Sequence, residues 1–390
     1  MRLRRMVSMR AATLGLVAAL VLAACAPAAE ESTSRLAIVD DGQVVVVYAD
    51  GSARVPITEG IGEFYFQPIW SPDGTRLAFS RIGSSPSIFL ANPDGTATYS
   101  SPLETFPFYF YWSAQNDLAF LRNGASGLTL DVTSIEVEAL AAPRQIESGQ
   151  PLYFSWSPEG ETMVTHVGPD RLDLNDTESS TPLGPQPGAF QSPSWTTDGI
   201  VAIEQGARDQ KLIIVRDGDA TPIATVLGPA TFVATRDGSR VAVQALFDGT
   251  NGITAAYQSI PVLPSNRVVV VDAEDGSSIN ASEGPALAYF WSPDGEQLLI
   301  LDIVPGPAAR WSVWSDEGTV EMNRFEPDPG FLRDMVPFFD QYAQSMSLWA
   351  PDGSAFAFPG TVDGESGIWV QDMGGELERV SSGTWVSWSP

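Results

Sequence analysis

The chain has 390 residues, of which 48 are Asp or Glu and 21 are Lys or Arg, so its formal net charge is -27. Such a surface repels nucleic acid and anionic lipid headgroups, so nucleic acid is excluded as an expected partner. Hydrophobic residues at 44% and aromatic residues at 10% are enough for a packed core, and the expected partners are neutral, cationic or apolar.

The first segment reads as a targeting sequence and not as part of the fold. Four arginines precede an apolar run, residues 11–22. This run is too short to span a bilayer comfortably. Residues 22–25, Leu-Ala-Ala-Cys, match a bacterial lipobox, in which lipid is attached to the cysteine and cleavage occurs just before it. The alternative is an ordinary signal peptide followed by an incidental cysteine.

We therefore expect residues 1–24 to be a lipoprotein signal peptide, Cys25 to carry lipid, and residues 25–34 to be a lipidated tether. The lipid on Cys25 would hold the mature protein to a membrane, on the outer side of the bacterial cytoplasmic membrane or in the periplasm. Cys25 is the only cysteine, so a disulfide within one chain is not possible.

The remainder of the chain repeats one stretch, first seen at residues 68–79 as P-I-W-S-P-D-G-T-R-L-A-F. Its Pro-Asp-Gly part is turn chemistry, because Pro fixes φ, Asp caps the turn and Gly supplies a positive φ. Copies recur at steps of about 40 residues, the length of a four-stranded propeller blade, and two longer steps indicate insertions. The copies are centred on Trp70, Trp112, Trp156, Trp195, Ala234, Trp291, Trp349 and Trp388.

Each unit reads as strand A, the W-S-P-D-G turn, strand B, a variable loop, strand C, a tight turn and strand D. The end of the chain supplies only a strand A, residues 384–389, and the residues after 35 supply the missing strands B, C and D. We therefore predict that residues 35–390 form one all-β domain. It is an eight-bladed β-propeller of four-stranded blades, closed by a composite blade from both termini.

The W-S-P-D-G-x-x-L-A-F repeat resembles the repeat of TolB-type propellers, and it is similar to the propellers that precede the hydrolase domain in prolyl oligopeptidase-like peptidases. The resemblance covers nearly the whole mature chain and implies the fold. It says little about function, because propellers host many. TolB-type proteins carry an additional N-terminal α/β domain and usually six blades, so the role of TolB with its envelope partners does not carry over.

A search for catalytic residues finds little. The chain has one histidine, His166, which we expect at a loop or strand end of blade three, and it has no G-x-S-x-G motif. No cluster of His and Cys suits zinc, and the repeated Asp of the turns is expected to be structural. The sequence therefore predicts no catalytic residue, no metal site and no cofactor, and it favours a protein that is not an enzyme.

Aromatic residues gather before each strand A, which places them on one face. In a four-stranded meander the D-to-A and B-to-C loops lie on one face, which we call the mouth, and the W-S-P-D-G turns lie on the other, which we call the turn face. These aromatics either pack between blades or line a pocket for a sugar or peptide, together with polar residues at the ends of B strands. The predicted ligand contacts at the mouth are Phe64, Tyr65, Arg81, Phe106, Phe108, Arg122, Tyr153, Gln205, Tyr289, Asp302, Phe339 and Tyr342.

Two inserts belong to the same face. Residues 247–266 lengthen the B-to-C loop of blade five, and residues 327–347 precede strand A of blade seven. In the second insert, apolar residues at helix spacing predict a short helix with Asp334 as its N-cap. Such a helix would either plug the mouth of the propeller or form part of a binding surface.

The function that these patterns favour is a non-catalytic binding or scaffold module of the cell envelope, monomeric and lipid-anchored, whose ligand is an envelope protein, a peptide or a glycan. The alternative is a lyase or hydrolase that processes glycan or peptide with acidic residues in the propeller channel. Buried carboxylates with shifted pKa values in the channel would favour that alternative.

Overall fold

The computed structural model describes residues 34–390 except for 61, 84, 137–138, 177–178, 189–190, 207–208 and 247–260. The predicted signal peptide, the lipid site Cys25 and all but the last residue of the tether lie outside the described residues, as does most of the first insert. The described part consists of antiparallel strands and one helical segment.

The strands of the first half of the chain are β1 Arg35–Asp40, β2 Gln43–Tyr48, β3 Arg54–Pro56, β4 Phe64–Trp70, β5 Leu77–Ile82, β6 Ser87–Ala91, β7 Thr98–Pro102, β8 Pro107–Trp112, β9 Leu118–Gly124, β10 Gly127–Thr133, β11 Ile135–Glu136, β12 Ala139–Leu140, β13 Arg144–Gly149, β14 Leu152–Trp156, β15 Met163–Val167, β16 Arg171–Asn175 and β17 Ser180–Pro182. The second half contains β18 Ser194–Trp195, β19 Ile200–Gln205, β20 Gln210–Arg216, β21 Asp219–Val226, β22 Ala230–Ala234, β23 Arg240–Ala245, β24 Val268–Asp272, β25 Ser278–Asn280, β26 Ala286–Trp291, β27 Leu298–Ile303, β28 Ala309–Ser315, β29 Gly318–Pro327, the helices α1 Pro329–Asp334 and α2 Phe339–Ser345 with a 3-10 turn Val336–Phe338 between them, β30 Ala355–Val362, β31 Glu365–Asp372, β32 Leu377–Ser381 and β33 Trp385–Trp388.

Most strands form four-stranded antiparallel sheets that follow the chain, as the repeat predicts. Among the described residues six sheets have four strands, namely β4–β7, β8–β9–β10–β13, β14–β17, β18–β21, β22–β25 and β3–β2–β1–β33. We call the first five of these blades one to five, in chain order. The last sheet joins the two ends of the described chain, since Leu36 lies opposite Trp388 and Val39 lies opposite Trp385.

The sheet of seven strands, β26–β32, departs from this pattern. The last residues of β29 pair with β30, with Glu326 opposite Thr361, and this pairing fuses two units into one sheet. The unit that begins at Trp349 has only an isolated bridge to Phe356 where the sequence predicts a strand A. Backbone hydrogen bonds of 2.8 Å still join this segment to β30, from the N–H of Ala357 to the carbonyl of Leu348 and from the N–H of Ala350 to the carbonyl of Ala355, so residues 348–350 take the place of strand A.

The W-S-P-D-G turn is held by hydrogen bonds within the turn, as at Ser292-Pro293-Asp294-Gly295. The Ser292 hydroxyl donates to Asp294 Oδ1 at 2.6 Å, and this carboxylate also accepts from the backbone N–H of Glu296 at 3.0 Å. The bond from Ser292 is the largest cause that lowers the pKa of Asp294, so the carboxylate stays charged. The turn Asp is therefore a structural residue.

The turn glycine meets two requirements at once. Gly160 has a φ of +80°, which L side chains rarely adopt, and a Cβ there would lie 2.7 Å from the backbone nitrogen of Ala114 in the preceding blade. Gly238 repeats this arrangement against Thr196, where the contact would be 2.3 Å. The turns of neighbouring blades therefore pack directly on one another.

The repeated tryptophan connects several blades to the blades before them. In four units the indole N–H donates to a backbone carbonyl of the preceding strand A, one residue before the position equivalent to the tryptophan. These bonds join Trp70 to Ser387 at 3.1 Å, Trp156 to Tyr111 at 3.2 Å, Trp291 to Val233 at 2.9 Å and Trp349 to Phe290 at 3.1 Å. The tryptophan thus supplies both apolar packing and a bond between blades.

The value of this bond can be measured because Trp112, at the equivalent position of blade two, has no partner for its indole N–H among the described residues. Trp112 and Trp156 are similarly buried, at 4% and 7% exposure. We expect Trp156→Phe to lower the free energy of unfolding by ~1 kcal/mol more than Trp112→Phe, because only the first change leaves a carbonyl unpaired. Urea denaturation checks this, and equal losses would contradict it.

Candidate functional site

A helical segment, residues 328–347, enters the mouth and fills its centre, and we call this segment the plug. The side chain of Asp328 caps α1 by accepting from the backbone N–H groups of Gly330 and Phe331. The predicted helix is therefore present, but its predicted N-cap, Asp334, is wrong, since Asp334 is the last residue of α1. A proline at the first position of α1 explains the earlier start.

The plug packs against inner strands from opposite sides of the domain. On one side the ring of Phe339 lies 4.6 Å from Tyr289 of β26. On the other side the ring of Tyr342 lies 5.1 Å from Tyr109 of β8 and 5.7 Å from Trp385 of β33. Aromatic residues before strand A therefore pack largely against the plug, and the mouth is not an open aromatic pocket.

Gln341 is the polar centre of the plug and is 3% exposed. Its side-chain amide nitrogen donates to the Tyr109 hydroxyl at 3.0 Å and to the Phe154 carbonyl at 2.7 Å. Its amide oxygen accepts from the Phe154 N–H at 3.0 Å and from the Ser192 hydroxyl at 3.2 Å. All the hydrogen-bonding capacity of this side chain is used, across three different blades.

Asp340 is the buried carboxylate of the plug, at 6% exposure. Its oxygens accept from the backbone N–H groups of Ser192 at 3.1 Å and Gln341 at 3.0 Å. Burial is the largest effect and raises the pKa of Asp340 to about 6, although the backbone hydrogen bonds act in the opposite direction. Burial also raises the pKa of the nearby Tyr153 to about 12, and the charge of Asp340 adds to this rise.

Four of the predicted ligand contacts are packing residues in this structure. Tyr289 of β26 packs against the plug, whereas Phe339 and Tyr342 belong to the plug and pack against inner strands. Tyr65 packs inside blade one against Phe79. All four are at most 5% exposed, so a ligand cannot reach them while the plug is in place. Sequence reasoning placed them on the correct face but could not tell which aromatics turn inward.

The predicted polar contacts lie on four different sheets and are engaged with neighbours. Arg122 pairs with Asp131 at 2.8 Å, Arg81 pairs with Glu63 at 3.2 Å, and Asp302 pairs with Arg310 at 3.3 Å. Gln205 accepts a hydrogen bond from Gln210 at 3.0 Å. These residues occupy the mouth ends of B strands, as expected, but each is held within its own sheet.

The remaining predicted contacts keep some surface at the mouth. Phe64 is 53% exposed, and Phe106, Phe108 and Tyr153 are half-buried.

His166 lies in β15, near the end of strand B of blade three as expected, and its Nδ1 lies 2.9 Å from the carbonyl of Gln191. Burial lowers the pKa of His166, so the ring is neutral and structural.

Exposed apolar side chains mark the mouth more clearly than the predicted contacts do. Eight large hydrophobic residues are exposed in the described part of the chain, and six of these lie at the mouth ends of strands or on the plug. The six are Phe64, Ile82, Leu246, Ile303, Leu332 and Phe338. Sequence reasoning missed Ile82 and Ile303, although each directly follows a polar residue that it selected.

Neither a metal centre nor a membrane span is found in the described ranges. Within them, no three or more His, Cys, Asp or Glu side chains form a group that could hold a metal ion. No described helix is both long and apolar enough to cross a bilayer.

The buried carboxyl of Asp340 predicts a specific pH dependence. The ordinary pKa of this group is 3.8, so between about pH 4 and pH 6 the folded protein binds the proton more tightly than the unfolded chain, and stability falls as pH rises through this window. In Asp340→Asn the NH₂ group cannot accept one of the two backbone hydrogen bonds, which costs stability at every pH. The free energy of unfolding of the variant relative to the wild type should nevertheless be higher at pH 7 than at pH 4, by on the order of 2 kcal/mol. Denaturation at both pH values checks this, with the exposed Glu378→Gln as control. An effect of the substitution that is independent of pH would contradict the assignment.

No protein-family model matches the sequence, and no curated protein matches it. Solved structures do resemble it. The Dos1 propeller matches with a TM-score of 0.55 and 10% identity, over 88% of this chain and 90% of that one. An oligogalacturonate lyase from Vibrio parahaemolyticus matches with a TM-score of 0.50 and 13% identity, over 84% of this chain and 96% of that one. The β-propeller domain of the Trilobed protease from Pyrococcus furiosus matches with a TM-score of 0.50 and 12% identity, over 83% of this chain and 99% of that one. At these identities the likeness shows the fold alone, and the chain is an all-β protein with a propeller fold.

Proposed function

We propose that this chain is a lipid-anchored propeller of the bacterial cell envelope that binds another envelope protein at its mouth and catalyses no reaction. The observation that carries the proposal is the combination of a filled channel and an exposed apolar mouth. The lipobox at residues 22–25 supports the anchor and the extracytoplasmic location, and the W-S-P-D-G repeat supports the TolB-type assignment.

The finer architecture is an eight-bladed ring closed by the two ends of the chain. Six four-stranded sheets among the described residues, together with a seven-stranded sheet that holds two units, support a count of eight. The pairing of β33 with β1 supports closure, because it covers an edge that would otherwise be open. A crystal structure of the mature chain with a different number of blades would overturn this part of the proposal.

The chemistry of the mouth favours a polypeptide partner with an apolar surface. Next to the exposed Phe64 and Ile82 lies the ion pair Glu63–Arg81, and next to Ile303 lies the pair Asp302–Arg310. Apolar side chains with a polar, ion-paired rim are typical of protein interfaces. The net charge of -27 disfavours acidic glycans as ligands.

One observation favours the alternative of an enzyme in the channel. Asp340 lies at the channel centre with its pKa raised to about 6, which is the behaviour of a carboxyl that can exchange a proton near neutral pH. Both of its oxygens already accept backbone hydrogen bonds, however, and the plug covers it. Turnover of a glycan or peptide that is lost in Asp340→Asn would establish this alternative instead.

The mouth is tested with variants that remove exposed aromatic rings. A photo-crosslinking residue in place of Phe338 would first identify the partner in intact cells. With the purified partner, we expect Phe64→Ala and Phe338→Ala each to weaken binding by ~2 kcal/mol, because such side chains are the usual anchors of interfaces. Isothermal titration measures this. The control is Val320→Ala, which is similarly exposed, at 58%, but lies in β29 away from the mouth. Normal binding by both aromatic variants, or an equal loss in the control, would contradict the assignment.

The anchor is tested separately with Cys25→Ser. Acyl chains hold a protein at a membrane through about 0.8 kcal/mol for each buried CH₂ group, so we expect the variant to move from the membrane fraction to the soluble fraction. Ser32→Ala, in the tether, serves as the control that stays with membranes. Sedimentation of Cys25→Ser with membranes at high salt would show that another feature holds the protein there.

A further inference from the structure

We propose that a cleft on the turn face, between blades two and three, is a second binding site, which takes a cationic group carried on an apolar body. The guanidinium of an arginine side chain or of a small free guanidine has this chemistry. The site is on the opposite face from the mouth, and it does not depend on the function proposed above.

The cleft has a volume of about 480 Å³, which is within the usual range for small-ligand sites. Its floor is apolar and includes Val132, Trp156 and Met163, all of which are buried to 8% exposure or less. Indole rings attract cations through their π electrons more strongly than other aromatic side chains do. The floor therefore suits an alkyl chain that ends in a cation.

The rim of the cleft carries an excess of negative charge. The carboxylates of Asp117, Glu161 and Asp176 line it, together with one guanidinium, that of Arg144. Three negative groups and one positive group leave a net charge of about -2 at the rim, which favours a cationic ligand over an anionic one.

Blade two departs from the repeat beside the cleft. The hairpin β11–β12 interrupts this blade between its third and fourth strands. Its residues Ile135 and Leu140 pack against the core cluster that contains Ile88 and Phe110, which belongs to blades one and two. The hairpin therefore covers the blade-one side and leaves the side that faces blade three open.

The turn of blade two departs from the repeat at the same place. Residues 114–116, Ala-Gln-Asn, replace Pro-Asp-Gly there. The Gln115 side-chain amide donates to the backbone carbonyl of Glu159 at 2.9 Å, which ties the two turns together beside the cleft. Local departures from a repeat are expected where a protein has a site, because the remaining copies serve folding.

A second cleft on the turn face is less suited to a ligand. It has a volume of about 710 Å³ and lies between blades four and five, but its lining contains no aromatic side chain. Five carboxylates and one guanidinium make its rim acidic as well, so the lack of an aromatic side chain is what separates it from the first cleft. The cleft between blades two and three is therefore the better candidate.

Titration calorimetry on the mature chain tests the site with three probes. These are agmatine, the blocked peptide Gly-Ala-Arg-Ala-Gly, and the same peptide with citrulline in place of arginine. We expect the guanidinium probes to bind and the neutral citrulline peptide to bind at least about tenfold more weakly. Agmatine binding as tightly as the arginine peptide identifies a free guanidine as the ligand class, and tighter binding of the peptide identifies a basic polypeptide segment.

The variants locate the binding. We expect the double variant Asp117→Asn/Glu161→Gln to weaken binding of the guanidinium probes at least about tenfold while its melting temperature stays near that of the wild type. The matched control is Glu317→Gln, an exposed carboxylate in the turn between β28 and β29, elsewhere on the turn face. The proposal is overturned if neither guanidinium probe binds, if the citrulline peptide binds equally well, or if the control loses as much affinity as the double variant.

Discussion

The position of the plug depends on the hydrogen bonds of the buried Gln341 side chain. A buried amide that loses its partners costs roughly 1–3 kcal/mol for each group left unpaired, so its bonds to Tyr109, Phe154 and Ser192 fix the plug against three blades together. Because the plug is fixed, the centre of the propeller is part of the core and not a pocket. Among the described residues the plug therefore fills the centre of the channel, and the exposed apolar side chains lie on its outer surface and around the mouth.

The two faces differ in how strongly folding constrains their side chains. On the turn face, several Trp and Gly residues of the repeat bind or pack against the preceding blade, as Trp156 does with the carbonyl of Tyr111 and Gly160 with Ala114. These residues recur because most junctions between blades use them. The mouth carries few such constraints, so its side chains are free to vary, and variable positions over a constant scaffold are where binding surfaces arise.

The fold could be predicted from the sequence because its signals are local and repeated. Each W-S-P-D-G turn is specified within a few residues, as the bonds around Asp294 show, and the recurrence of the turn fixes the architecture. The site could not be predicted in the same way. The contacts of Gln341 reach residues 232 and 187 positions away, and no local pattern shows that its amide is the centre of the molecule. The helix spacing did indicate the plug, but Asp328 and not Asp334 caps it, because the proline at position 329 allows an earlier start.

Hydrogen exchange tests whether the plug is a fixed part of the core. If residues 339–345 are a fixed part of the core, their amides should exchange as slowly as those of inner strands such as β14, through global unfolding only. Mass spectrometry of peptides that cover both segments would compare the two rates in one sample. We expect equal protection of the two segments. Fast exchange of the plug while β14 remains protected would contradict it, because the plug would then open on its own and the channel would be accessible.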